Sequence, residues 1–106
     1  MMQSKPKHIL VAEDDAFSQM AVKMILGSLK LQFTIVPDGE QAVNAYKNSK
    51  GAFSLVLLDL HMPKLDGYGA AIKIREIERA YGLTPIKIMA LSAGIFDYNS
   101  IFLNFC

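Results

Sequence analysis

Four short apolar runs recur along the chain, and each ends in a polar or glycine-containing turn. Runs of this length that are rich in branched and aromatic residues predict buried β-strands. The intervals between the runs are long enough for a helix each. The four runs are His8–Ala12, Gln32–Val36, Ser54–Leu58 and Ile86–Leu91.

The intervals between the strands carry apolar residues at helical spacing. A first helix is expected from about Ala16 to Lys30, where Phe17, Met20 and Met24 recur every three or four residues. These side chains are expected to pack, since Met at this spacing usually does. A second helix is expected to end near Gly51, and a third to lie within 67–82.

The order β-α-β-α-β-α-β with short links predicts the α/β class, with a doubly wound parallel sheet. Right-handed crossovers place helices on both faces of such a sheet. A chain of 106 residues has room for one domain. We assign that domain to residues 1–93 and treat 94–106 as a divergent tail. Within the tail, residues 101–105 could form a short strand or a poor helix.

The composition limits the partners and the cellular compartment that we expect for this domain. The chain is 52% hydrophobic and carries a net charge of +1, so nothing in its charge favours nucleic acid or an anionic membrane as a partner. Its single cysteine cannot form an internal disulfide, which favours a reducing compartment. No stretch approaches the ~20 apolar residues of a membrane span. We expect a cytoplasmic protein with no membrane partner.

Candidate chemistry begins where the third strand ends. The segment LVLLDLHMPKLDGYG (55–69) passes directly from four apolar residues to Asp59 and then turns through Pro63 and Gly67. A carboxylate at the carboxyl end of a strand, leading into a loop, lies where open α/β sheets place their ligands. The alternative is a turn aspartate with no chemical role.

The other predicted strands end in polar residues as well. Glu13 and Asp14 follow the first strand, and Ser92 follows the fourth. In a parallel sheet these ends meet at one edge, so the two acidic residues are expected beside Asp59. Two like charges about 4 Å apart repel by roughly 4 kcal/mol at an effective dielectric constant near 20. A Mg²⁺ ion, which prefers oxygen ligands, would offset that repulsion and allow a phosphoryl group to approach Asp59.

Three neighbouring residues have simpler interpretations. His61 could bind a metal through its side chain, but no second His or Cys stands at ligand spacing, so a loop residue with a useful carbonyl is the better interpretation. Asp15 could line the acidic pocket or cap the first helix. Asp66, before Gly67, is expected to form a turn.

Three segments together resemble the receiver domain of two-component response regulators, especially the receivers attached to hybrid histidine kinases. The resemblance covers roughly residues 7–93 and implies a flavodoxin-like fold. The segments are ILVAEDD (9–15), LVLLDLHMPKLDGYG (55–69) and IKIMALSA (86–93).

The resemblance also implies roles for single residues. Asp59 matches the phospho-accepting aspartate, and Glu13 and Asp14 match the acidic pair that binds Mg²⁺. His61 stands where the family offers a backbone carbonyl to the metal, and Ser92 matches the switch residue that contacts the phosphoryl group. The implied partner is a histidine kinase or a histidine phosphotransfer domain.

The end of the sequence departs from the family pattern. The family continues through another helix and a fifth strand that ends in a lysine, whereas no lysine follows Lys87 here. We therefore expect the strand order 2-1-3-4 with the fifth strand missing or replaced. Strand four would then be an edge, and the apolar residues 101–105 would cover it or promote self-association.

The favoured function is acceptance of a phosphoryl group in a phosphorelay, and the chain is not expected to be an enzyme in the usual sense. An aspartyl-phosphate phosphatase generally has a second aspartate two residues after the nucleophile, where this chain has His61. The remaining alternatives are an unphosphorylated interaction module and a non-functional truncated receiver.

Overall fold

The computed structural model describes residues 7–49, 51–92 and 95–97, with the backbone alone for 92 and 95–97. Within these ranges, strands and helices alternate through the first four strands. A fifth strand then begins after a link of two residues from the end of the fourth one. The elements are β1 (His8–Ala12), α1 (Ala16–Ser28), β2 (Gln32–Val36), α2 (Gly39–Ser49), β3 (Leu55–Asp59), α3 (Gly67–Tyr81), β4 (Lys87–Ser92) and β5 (Ile95–Asp97).

The strands form one sheet in the order β2-β1-β3-β4-β5. The first four strands are mutually parallel, which confirms the predicted α/β class and the order 2-1-3-4. β1 is an interior strand, since Ala12 pairs with Val36 on one side and with Leu58 on the other. The carboxyl ends of β1, β2 and β3 therefore lie side by side.

β5 stands next to β4 where the family has its fifth strand, so that strand is replaced, one of the two outcomes expected from the sequence. β5 runs antiparallel to β4, with Ser92 opposite Ile95 and Ala90 opposite Asp97. The expectation that β4 is an edge strand is therefore wrong. Only two residues join the strands, and a parallel neighbour would need a crossover of about a dozen or more. Self-association through the edge of the sheet stays a prediction.

Two apolar clusters cover the two faces of the sheet. Strand residues alternate between them, because successive side chains point to opposite faces. On one face α2 and α3 pack through Ala42, Tyr46 and Ile74 against residues such as Leu10 and Val56. On the other face α1 packs through Val22 and Leu26. In the described ranges one helix thus covers one face and two cover the other.

α1 packs through a different side from the one that its spacing indicated. The exposed fractions of Phe17, Met20 and Met24 are 81%, 61% and 70%, while Val22 and Leu26 are buried. Our expectation that these methionines pack is therefore wrong. The helix also stops at Ser28, two residues early, because Lys30 adopts a left-handed conformation with φ 58°.

No helix in the described ranges is both long and apolar enough to span a membrane. The predicted boundary between residues 93 and 94, and the alternative structures weighed for residues 101–105, fall outside the described residues.

Candidate functional site

The acidic pair leaves the sheet at the end of β1, an interior strand. Glu13 follows the last residue of β1, and its backbone N–H donates to the carbonyl oxygen of Val36, the last residue of β2, at 3.0 Å. This bond extends the β1–β2 ladder by one step and fixes where the chain turns away. Glu13 and Asp14 therefore begin the loop to α1 right beside the end of β3.

Asp59 is the last residue of β3 and pairs with Leu91 of β4. The loop that follows returns so closely that a Cβ atom at position 67 would overlap the carbonyl oxygen of Asp59. Gly67 is therefore required there for lack of space, and α3 begins directly against the strand end. His61 donates its backbone N–H to Asp59 Oδ1 at 3.1 Å, which orients the carboxylate.

Glu13, Asp14 and Asp59 form one cluster, as the sequence predicted. One carboxylate oxygen from each lies within 4.8 Å of the others. Glu13 is buried, Asp59 is half-buried and Asp14 is exposed. A buried, a half-buried and a solvent-facing acid thus share one small volume at the edge of the sheet.

The cluster has a measurable electrostatic cost. Burial raises the pKa of Glu13 to about 7, and its hydrogen bond with Asp59 and the charges of Asp59 and Asp14 add to the rise. The backbone N–H of Asp15, which donates to Glu13 Oε2 at 3.2 Å, acts in the opposite direction. Near neutral pH, the protonated form of Glu13 is therefore far more populated than in an ordinary glutamate.

This donor set fits a hard divalent cation. Carboxylate oxygens are the ligands that Mg²⁺ selects, and it usually keeps several waters beside one or two carboxylates. Two of the three acids face solvent at least in part, which leaves room for those waters. A bound cation would also offset the charges of Asp59 and Asp14, which add to the raised pKa of Glu13.

The other predicted residues lie around this cluster. The side chain of His61 is exposed, and among the described residues it does not belong to the metal-competent group. Ser92 ends β4, one residue beyond the partner of Asp59, so its backbone reaches the same edge of the sheet.

Two further aspartates prove to be helix caps. Asp15 Oδ2 accepts the backbone N–H of Ser18 at 2.8 Å and caps α1, which is one of its two predicted roles. Asp66 Oδ1 accepts the N–H of Gly69 at 2.8 Å and caps α3, where the sequence indicated only a turn.

Sequence reasoning missed Gln19 and the contact between the loops that follow β2 and β3. Gln19 Nε2 donates to the carbonyl oxygen of Glu13 at 2.6 Å. In the second contact the N–H of Gly39 donates to the carbonyl oxygen of Leu65 at 3.0 Å. Beside it, Lys64 Nζ lies 3.8 Å from Oδ2 of buried Asp38. The first contact joins residues six positions apart and the second joins two separate loops, and residue spacing reveals neither of them.

Comparison with known proteins identifies a family whose model matches this chain, and several proteins similar to it. The family model described as the response regulator receiver domain matches residues 9–99. Hybrid signal transduction histidine kinase I of Dictyostelium discoideum is 38% identical over 94 residues, which make up 86% of this chain. The aligned part is 5% of that kinase, so this chain spans a small fraction of its relative.

Two solved structures are similar over most of the chain. The receiver domain of Ssk1 from Saccharomyces cerevisiae, crystallised with the histidine phosphotransfer protein Ypd1, is 31% identical with a TM-score of 0.75. The match covers 86% of this chain and 67% of that one. The receiver domain of sensor histidine kinase PA1611 from Pseudomonas aeruginosa, with magnesium in its active-site cleft, is 30% identical with a TM-score of 0.74, covering 94% and 75%.

Proposed function

The chain belongs to the response regulator receiver domain family, and we propose that it accepts a phosphoryl group on Asp59 from a phosphorylated histidine. The observation that carries this proposal is the cluster of Glu13, Asp14 and Asp59 at adjoining strand ends. The donor would be a histidine kinase or a histidine phosphotransfer domain. The receiver of Ssk1, a relative in structure, was crystallised with such a phosphotransfer protein.

The proposed step is a substitution at phosphorus. A carboxylate oxygen of Asp59 forms a bond to phosphorus, and the P–N bond of the donor breaks, leaving its electron pair on the imidazole. The N–H of His61 holds Oδ1 and thereby limits rotation of the carboxylate. Ser92, at the end of the adjacent strand, is assigned the contact with a phosphoryl oxygen.

We assign the metal site to the same cluster. Asp14, Asp59 and the backbone carbonyl of His61 would be ligands of Mg²⁺, with Glu13 beside them. When bound, the ion supplies positive charge that offsets the carboxylates and the incoming phosphoryl group. The magnesium in the cleft of the PA1611 receiver supports this assignment.

The exposed side of α1 is the surface that we assign to the phosphodonor domain. Phe17 and Met20 lie in the first two turns of the helix, directly after the acidic loop, and Met24 continues the apolar stripe. Exposed apolar side chains in one stripe are typical of protein-binding surfaces. A domain seated there would present its histidine toward the end of the sheet.

Phosphorylation with a small acyl phosphate and Mg²⁺ tests the proposal. Intact-mass measurement should show the gain of one phosphoryl group, which should vanish in Asp59→Asn and with a chelator, because the nucleophile or the metal is then absent. Asp66→Asn is the matched control, since Asp66 is a helix cap in the same loop. Labelling should survive that change.

The same assay has two further outcomes. Met24→Glu should slow transfer from a phosphorylated phosphotransfer domain while leaving the small donor unaffected. Equal labelling of the Asp59→Asn variant would refute the assignment of the acceptor. A folded wild-type chain that takes no label and binds no Mg²⁺ would instead favour an unphosphorylated interaction module or a non-functional truncated receiver.

A further inference from the structure

Besides its side-chain hydrogen bond with Asp59, Glu13 makes three hydrogen bonds in the described part of the chain, and one of these three comes from a helix. Its N–H donates to Val36, and its carboxylate accepts the N–H of Asp15. Its carbonyl oxygen accepts the side-chain amide of Gln19 at 2.6 Å. The first two bonds stay within the sheet and the loop, whereas the third ties the acidic loop to α1.

The peptide bond between Glu13 and Asp14 is the unit that this third bond orients. The carbonyl oxygen of Glu13 and the N–H of Asp14 belong to one rigid plane. Holding the oxygen therefore fixes the direction in which the chain enters Asp14. A rotation of that plane would redirect the Asp14 side chain as well.

Asp14 depends on its backbone more than its two neighbours in the cluster do. Among the described residues, its carboxylate takes part in no hydrogen bond or ion pair, and the residue is exposed. The carboxylates of Glu13 and Asp59, in contrast, each accept a backbone N–H. The position of Asp14 in the cluster is thus set by the main chain that carries it.

The chemistry of Gln19 suits this place. A neutral amide donates a hydrogen bond without reducing the negative charge that attracts a cation. A Lys or Arg here would compete with the metal for the carboxylates, and a carboxylate could not donate to a carbonyl oxygen. Gln19 is half-buried, which favours one conformation of its side chain.

From this arrangement we infer that Gln19 is a positioning residue of the metal site, acting through the Glu13 carbonyl oxygen to hold Asp14 in place. The inference rests on the proposed function, because it takes Asp14 as a Mg²⁺ ligand. Groups that orient metal ligands from behind typically change metal affinity by about 10-fold to 100-fold when they are removed.

Mg²⁺ titration by calorimetry tests the inference on the unphosphorylated chain. Gln19→Met keeps the length and the helix propensity of the side chain but removes the donor, and we expect about a 10-fold weaker affinity. Gln32→Met is the matched control, because exposed Gln32 lies on β2 away from the acidic loop. This variant should bind Mg²⁺ with the affinity of the wild type.

Gln19→Glu separates positioning from charge. It adds a negative charge near the site, which on its own would tighten Mg²⁺ binding, but it cannot donate to the carbonyl oxygen. Weaker binding in this variant supports positioning, whereas tighter binding would overturn it.

Circular dichroism melts in chelator complete the test. The Met variant should melt close to the Gln32→Met control; an unfolded Met variant, or wild-type affinity in a folded one, would refute the role of Gln19. A wild-type chain that binds no Mg²⁺ would refute the proposed function itself.

Discussion

At the scale of single residues, the site places an acid where its charge is unfavourable. Glu13 is buried beside Asp59, which accounts for its pKa of about 7. The unfolded chain has no such neighbours, so the same carboxyl would titrate there near 4.5. The folded protein therefore binds this proton more tightly than the unfolded one.

This difference predicts how stability depends on pH in the absence of metal. The contribution of Glu13 is fully favourable below pH 4.5, declines as pH rises toward 7 and stays low above it. Glu13→Gln, which cannot ionise, should therefore be more stable than the wild type at pH 8, by on the order of 1 kcal/mol. The two proteins should be similar at pH 4.

Urea unfolding with chelator at both pH values measures this effect. Glu40→Gln, on the exposed start of α2, is the control and should show no such pH-dependent gain. A Glu13→Gln variant that is less stable at pH 8 would contradict the raised pKa.

The sequence reveals some site residues better than others. Glu13, Asp14 and Asp59 could be predicted because each follows an apolar run, and strand ends meet in a parallel sheet. Gln19 could not, since a single polar residue in a helix carries no signal of what its side chain reaches. The caps Asp15 and Asp66 were visible only as residue types suited to turns and helix starts.

At the scale of elements, one buried carboxylate joins α2, α3 and the residue that precedes β4. Glu78 Oε2 accepts the hydroxyl of Tyr46 at 3.0 Å and the N–H of Ile86 at 2.6 Å. Arg75 donates to Glu78 Oε1 at 2.8 Å and also to the carbonyl oxygen of Ile86. Burial first, and then Glu78, raise the pKa of Tyr46 to about 12, so its hydroxyl stays a donor up to strongly basic pH.

Tyr46→Phe should destabilise the fold by about 1.5–3 kcal/mol, the usual range for a hydrogen bond to a charged group. The ring still fills its place between α2 and the sheet, so the loss reflects the hydroxyl alone. Thermal or urea unfolding measures it.

Tyr81→Phe is the matched control, because Tyr81 is 63% exposed at the end of α3. The free energy of unfolding of this variant should equal that of the wild type. Equal unfolding midpoints for Tyr46→Phe and the wild type would show that water replaces the hydroxyl at no cost.

The helices also show what apolar spacing can establish. It located α1 correctly but indicated the wrong side, since apolar residues lie on almost every side of this helix and several sides satisfy the same period. Packing against the sheet determines which side of α1 is buried, and Val22 and Leu26 lie on that side. α3 was predicted more securely, because Gly67 and Gly82 bound it and its buried residues, such as Ile74, lie on one side.

At the scale of the whole molecule, the parallel sheet followed from the alternation of strands and helices, and its strand order 2-1-3-4 followed from the resemblance to the receiver family. The antiparallel β5 did not, although a signal was present. Ala93 and Gly94 alone separate the apolar end of β4 from Ile95, and a two-residue link that contains Gly is typical of a hairpin.

The unequal covering of the two faces has a consequence for local unfolding. α2 and α3 support each other and share the buried contacts of Glu78, whereas α1 is anchored by two buried side chains, Val22 and Leu26. Segments with few buried contacts open most easily without global unfolding. Amide hydrogens of α1 should therefore exchange with solvent before those of α3 and well before those of β1.

Hydrogen exchange followed by mass spectrometry, with and without Mg²⁺, would reveal this order. The ion should slow exchange most in the first turns of α1, because Gln19 ties that end of the helix to the acidic loop. Slowing confined to β1 would contradict this link. The helix that we assign to the phosphodonor domain is thus expected to open before α3 and β1, and metal at the acidic loop should hold it closed.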